Sequence, residues 1–178
     1  SLMPPALVES IINNVSDVFG LEQGCEITLE ANPTSYETEK FESFKAAGIN
    51  RVSIGVQSLN TEDLKFLGRQ HSAEDALAAI KSAQKIFDRL SFDLIYARPD
   101  QTIKDWSNEL TKALDYGTTH LSLYQLTIEQ GTAFHTQYNR GDFRLPDEFL
   151  AADLYEATQQ ITQSYGLPAY ETDRKSVV

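Results

Sequence analysis

The sequence predicts an α/β protein with four parallel strands, and three observations carry that expectation. Helical and strand periodicities alternate along the chain. Four strand candidates are each separated from the next by a helix, the pattern of βαβ units with right-handed crossovers. Polar side chains stand at or near the strand ends, where parallel α/β folds place their ligands.

Each element has a local reason. Pro4-Pro5 suits the first turn of a helix in which Leu7, Ile11, Val15 and Val18 recur on one face until Gly20. Cys25 to Ala31 is the first strand, halted by Asn32-Pro33. Thr34 or Ser35 caps the next helix, where Phe41, Phe44 and Ala47 share a face before Gly48. Asn50 to Gln57 is the second strand; its small and β-branched residues run uncharged to Gln57 and read as buried. Thr61 and Asp63 begin a short helix that ends at Gly68. Ser72 caps a longer one, with Glu74 and Asp75 in its first turn and Leu77, Ile80, Gln84 and Phe87 along a face. Ser91 to Ala97 is the third strand, stopped by Arg98-Pro99. Trp106, Leu110 and Leu114 mark a helix closed by Gly117, and His120 to Leu126 is the fourth strand. A polar loop runs to about Arg144, and Pro146 starts a long helix carrying Leu150, Leu154, Ala157, Ile161 and Tyr165. No motif recurs between these units, which excludes a solenoid. Two architectures fit: a small open sheet, or an incomplete (β/α) barrel, since a complete one needs about 250 residues. A start on a helix, with no strand before it, favours the incomplete barrel.

Composition narrows the function. The 178 residues carry 15 Lys and Arg against 26 Asp and Glu, a net charge of −11. That balance argues against nucleic acid or an anionic membrane surface as partner, since both need a basic patch and none is visible. No apolar run approaches the ~20 residues of a membrane span, and no signal-peptide pattern appears. Cys25 is the single cysteine, so neither an internal disulfide nor a cysteine-ligated metal site forms from this chain alone. The expected compartment is the cytoplasm.

Four residues stand out as a candidate site. Glu30 ends the first strand, Gln57 ends the second, and Asp93 sits inside the third between Phe92 and Leu94. A carboxylate in that setting must be paired or protonated. Arg69 follows a short helical turn and can return a guanidinium to the same mouth. Carboxylates, an amide and an arginine suit a ligand with hydroxyls and a carboxylate or phosphate. The bland alternatives are a solvated Glu30, a Gln57 that ties down a loop, and an Arg69 that pairs structurally with either acid. A phosphate ester bound by a small-molecule enzyme on an open sheet is a further reading. His71, His120 and His135 read as surface or loop residues ahead of haem ligands. Trp106 reads as a core anchor and Cys25 as an inert strand cysteine.

Seven segments together resemble a known family. They are Leu29-Glu30-Ala31-Asn32-Pro33, Gly48 through Ser58, Leu67-Gly68-Arg69-Gln70-His71, and Phe92-Asp93-Leu94-Ile95-Tyr96. Gln101-Thr102 with Trp106, His120 through Glu129, and Leu145-Pro146-Asp147 complete the set. The chain, from residue 1 to about Glu171, is similar to the radical S-adenosylmethionine (radical SAM) proteins related to oxygen-independent coproporphyrinogen III oxidase, the HemN/HemW group. The resemblance implies a partial, TIM-like (β/α) barrel of the radical SAM type, with four of its parallel strands in this chain. It implies S-adenosyl-L-methionine and a [4Fe-4S] cluster as cofactors, and Glu30, Gln57, Arg69 and Asp93 as cofactor-contacting residues. In such proteins the cluster supplies an electron, the sulfonium bond breaks, and a 5′-deoxyadenosyl radical abstracts hydrogen from substrate.

The departures from that family also carry expectations. Its cluster is held by Cys-x3-Cys-x2-Cys, whereas this chain has only Cys25, so no residue here is expected to be catalytic or to bind metal. The cluster cysteines are expected upstream, with residues 1–145 an incomplete barrel and 146–178 a helix that begins a C-terminal extension packed on it. Taken alone, the chain is expected to be inactive and to bind S-adenosylmethionine weakly or not at all. Tyr96-Ala97-Arg98-Pro99-Asp100 replaces a more usual Tyr-Gly-Leu-Pro-Gly, and Thr172 to Val178 reads as a divergent or appended tail. Leu126 to Phe134 and Leu145-Pro146-Asp147-Glu148 resemble the haem-chaperone branch more than the branch that oxidatively decarboxylates coproporphyrinogen III. Porphyrin or haem is the implied ligand of the full-length protein. A non-catalytic haem-binding module is the reading from another class, and an exposed strand edge would invite a dimer.

Overall fold

The computed structural model describes residues 3–170, with the backbone alone at 35 and 36. The expectations for the Ser35 side chain and for the tail from 171 lie outside the described residues. The described chain runs α1 (Pro5–Phe19), β1 (Thr28–Ala31), α2 (Ser35–Thr38), α3 (Phe41–Ala46), β2 (Arg51–Gln57), α4 (Thr61–Phe66) and α5 (Ala73–Ile86). It continues with β3 (Arg89–Tyr96), α6 (Ile103–Leu114), β4 (His120–Gln125), α7 (Ala133–Arg140) and α8 (Glu148–Ser164). It divides into two compact units, residues 1–95 with 118–124, and residues 96–117 with 125 onward. No helix among the described residues is long and apolar enough to cross a membrane.

The four strands form one sheet in the order β1-β2-β3-β4, the α/β arrangement of parallel strands that the alternating pattern implies. In the first unit Leu29 pairs with Val52, and Val52 with Leu90. One face of the sheet is apolar: Leu29 and Ala31, Val52, Ile54 and Val56, then Phe92 and Leu94, are all buried. Phe41 and Phe44 of α3 and Ala76, Ala79, Ile80 and Ala83 of α5 are buried in the same core. Small residues on α5 permit close packing, and Phe41 meets Phe87 edge-on at 5.7 Å. The strands are therefore not buried on both faces, as the uncharged run to Gln57 suggested; alternate residues of β2 are only half-buried.

Three local departures have identifiable causes. The first strand begins at Thr28, not Cys25, because the Asn50 side chain takes over the preceding ladder positions. Its Oδ1 accepts from Ile27 N–H at 2.8 Å and its Nδ2 donates to Cys25 O at 2.7 Å. The helix expected after Thr34 is split, and at the break Lys40 N–H bonds the Glu37 carbonyl three residues back. On α1, Leu7, Ile11, Val15 and Val18 are 38 to 71 % exposed, whereas Val8 is buried and Ile12 lies against Gly48. The face that packs on this helix is thus one residue further round than the stronger apolar stripe.

In the second unit α6 packs on α8 around Trp106, which is fully buried and stacks on Tyr96 with centroids 5.3 Å apart. Its indole N–H donates to Thr158 Oγ1 at 2.7 Å, which satisfies the one polar atom the ring carries into the core. Helix α7 occupies part of the stretch read as a loop. It buries no residue, so no apolar period marks it, but Thr132 caps its start and Gly141, at φ +81°, its end.

Candidate ligand-binding cleft

The strand pleat builds the cleft. Side chains opposite the apolar core, at every second position, line an open cleft of about 740 Å³ in the first unit. Glu30, Gln57, Arg69 and Asp93 all lie on it, together with Asn32, Glu37, Ser53, Gly55, Ser122 and Tyr124.

Asp93 is the hub. The β2–β3 register shifts between Ile54, which pairs with Phe92, and Gln57, which pairs with Leu94. The resulting bulge leaves the Val56 N–H to the Asp93 side chain, whose Oδ1 accepts it at 3.0 Å. Asp93 Oδ2 accepts from Gln57 Nε2. Burial pushes the Asp93 carboxyl above the usual carboxylate range, outweighing the bond from Gln57, the backbone donors and the charge of Arg69. Gln57 is itself buried and takes a left-handed backbone, φ +68°, at the end of its strand.

Arg69 and Glu30 differ from this pair in being exposed. Among the described residues neither side chain makes a hydrogen bond or an ion pair, although Arg69 lies close enough to Asp93 to act on its charge. Helix α4, capped by Asn60, and the turn at Gly68 (φ +70°) return the chain to the cleft at Arg69. Structural pairing of Arg69 with Glu30, one of the bland readings, is therefore not what the fold uses.

Sequence reasoning missed Asn32 and Glu37. Asn32 donates from its backbone N–H (2.9 Å) and its amide (3.1 Å) to the Glu37 carboxylate, closing one side of the cleft. Asn32-Pro33 was legible only as a strand stop; the period-two spacing Glu30, Asn32 and Ser53, Gly55, Gln57 was the signal that points to Asn32, and Glu37, on α2, has none. His71 is not a surface residue: it is 9 % exposed, and its Nε2–H donates to Val56 O at 3.1 Å. His120, on β4, is held below the usual imidazole range by burial and then by the charge of Arg51. His135 lies half-buried on α7. Cys25 is exposed and precedes β1, so it is not a strand cysteine, and no group of three metal-ligating side chains occurs among the described residues.

Comparison with known proteins gives consistent results. The profile of the Radical SAM superfamily matches residues 3–113. Over 172 residues the chain is 41 % identical to the mitochondrial radical S-adenosyl methionine domain-containing protein 1 of Mus musculus, covering 96 % of this chain and 39 % of that protein. Over 173 residues it is 36 % identical to the heme chaperone HemW of Escherichia coli (strain K12), covering 97 % and 45 %. The solved structure of coproporphyrinogen III oxidase from Escherichia coli, a radical SAM enzyme, superposes with a TM-score of 0.76 over 92 % of this chain and 38 % of that one. At 24 % identity that match shows the fold alone, a radical SAM TIM-like arrangement. The chain spans about two fifths of the length of these relatives.

Proposed function

From the premise that the chain belongs to the radical SAM superfamily, we propose that its cleft binds S-adenosylmethionine in the full-length protein. Glu30, Gln57, Arg69 and Asp93 would be the contacting residues. The observation that carries this reading is an exposed guanidinium and an exposed carboxylate, neither internally partnered, on one cleft with a part-buried amide–carboxyl pair. S-adenosylmethionine offers a carboxylate, an ammonium and ribose hydroxyls, and this donor set matches all three. Arg69 suits the carboxylate as a bidentate fork. Glu30 and Asp93 are acceptors for the ammonium or hydroxyls, and Gln57 keeps its carbonyl oxygen as a further acceptor.

When bound beside a reduced iron–sulfur cluster, the cofactor supplies one-electron cleavage of its sulfonium bond. This chain's residues bind, orient and desolvate it. The cluster itself does not fit here, because a lone exposed Cys25 cannot supply the thiolates it needs. We therefore place no redox step on these residues and propose that the chain alone is inactive.

The chain resembles the haem-chaperone branch: bacterial relatives named heme chaperone are 32 to 36 % identical to it. That branch, not oxidative decarboxylation of coproporphyrinogen III, is the function we propose for the full-length protein, with haem or a porphyrin as its ligand. The proposed compartment is the cytoplasm, whose reducing chemistry suits a free, exposed thiol, although the animal relatives are named mitochondrial. A dimer through the β1 edge remains part of the proposal. The full-length protein, prepared anaerobically, should take up haem in a spectroscopic titration and should not turn over coproporphyrinogen III. Turnover without haem uptake would reverse the assignment.

A further inference from the structure

We infer that His71, which does not line the cleft, is a positioning residue for it. One hydrogen bond from its imidazole holds both the bulge that sets Gln57 and the segment that carries Arg69. The inference deepens the ligand reading above and rests on it.

The bulge leaves Val56 out of register with β3, so both its backbone polar groups need other partners. Its N–H is taken by Asp93 Oδ1 at 3.0 Å. Its carbonyl accepts from His71 Nε2 at 3.1 Å and from Ser58 N–H at 2.9 Å. Asp93 and His71 thus grip the two consecutive peptide groups that flank Val56, and the second leads directly into Gln57, whose φ of +68° an unconstrained glutamine rarely adopts. Because a carbonyl only accepts, Nε2 of His71 carries the proton, which fixes the tautomer.

The same bond acts on Arg69. Its backbone N–H donates to Leu64 O at 2.8 Å, at the end of α4. Two residues beyond His71's neighbour Gln70, on the far side, Ser72 opens α5 through a reciprocal capping box with Asp75. His71 lies between these anchors and ties the segment to β2, so the guanidinium and the Gln57 amide are set by one clamp.

The test is calorimetric titration of S-adenosylmethionine into the full-length protein and three variants. Glutamine at this position keeps a donor at the reach of Nε2, whereas leucine removes it and asparagine is too short. His71→Gln is expected to bind within about threefold of wild type, and His71→Leu and His71→Asn roughly tenfold or more weakly, the effect of leaving a buried carbonyl short of a partner. Equal affinities for all four folded proteins overturn the inference, as does an equal loss in glutamine and leucine variants. A merely structural role would lower the melting temperature without moving affinity measured well below it. If His71→Leu does not fold, the glutamine–asparagine contrast decides. If wild type binds no S-adenosylmethionine, the ligand reading fails by itself. The side-chain ¹⁵N signals of Gln57 and Arg69 then decide positioning, which predicts that they shift in the asparagine variant and hold in the glutamine one.

Discussion

Asp93 shows how one side chain serves fold and site together. Its carboxyl sits in a strand bulge, accepts from Val56 and Gln57, and is held above the ordinary carboxylate range mainly by burial. A raised folded-state pKa means that protonation favours the folded state. The stability this group contributes is complete below its unfolded value and is lost as pH rises through the higher folded value. Relative to Asp93→Asn, the wild type should therefore lose stability as pH rises through that window. Urea midpoints of both proteins across the acid range check the sign, and a parallel pair of curves would contradict it. Backbone strain tells a similar story at Ala97 and Asp100, which both hold φ +56° where the resembled family carries glycine. Ala97→Gly should stabilise the protein by about 1 kcal/mol, because glycine enters the left-handed region without the Cβ clash. An unchanged or lower urea midpoint would count against that account.

At the scale of elements, what was legible depended on whether a segment buries a periodic face. Helices α5, α6 and α8 and the four strands were readable because apolar residues recur at the right spacing, with Ser72 marking the start of α5. Helix α7 was not, because it buries no residue and so shows no apolar face; its caps and the contacts of Phe134 and Tyr138 with Phe143 hold it instead. The start of β1 was shifted by a side chain, Asn50, that mimics a strand neighbour, and no local pattern encodes that. The substitution of Leu by Arg98 in the family's loop has its compensation on α6. Arg98 and Glu109 form an ion pair with side chains 3 % and 9 % exposed. Glu109→Ala should destabilise the second unit by about 3–5 kcal/mol through the buried charge it leaves, while Arg98→Leu with Glu109→Leu should restore most of that loss. Denaturant unfolding of the three proteins checks it; additive losses would show that the pair is not the relevant unit.

For the whole molecule, the cleft was partly legible. Glu30 and Gln57 at strand ends, Asp93 inside an apolar strand and Arg69 after a short helix were conspicuous, and the fold brings them onto one surface. Asn32 and Ser122 were not, since each is unremarkable until the pleat places it beside the others, and Glu37 reaches the cleft from α2, off the strand pattern altogether. The net charge of −11 is general surface character, and the cleft departs from it by presenting Arg69 among acids. The central claim is that this surface is the S-adenosylmethionine wall of a longer protein. Calorimetric titration of S-adenosylmethionine into the full-length, cluster-loaded protein and its Arg69→Ala variant tests it most directly. The account predicts saturable binding by wild type and at least a tenfold loss in Arg69→Ala, about 1.4 kcal/mol or more. Equal affinity in the two proteins, or no binding by wild type, would contradict it.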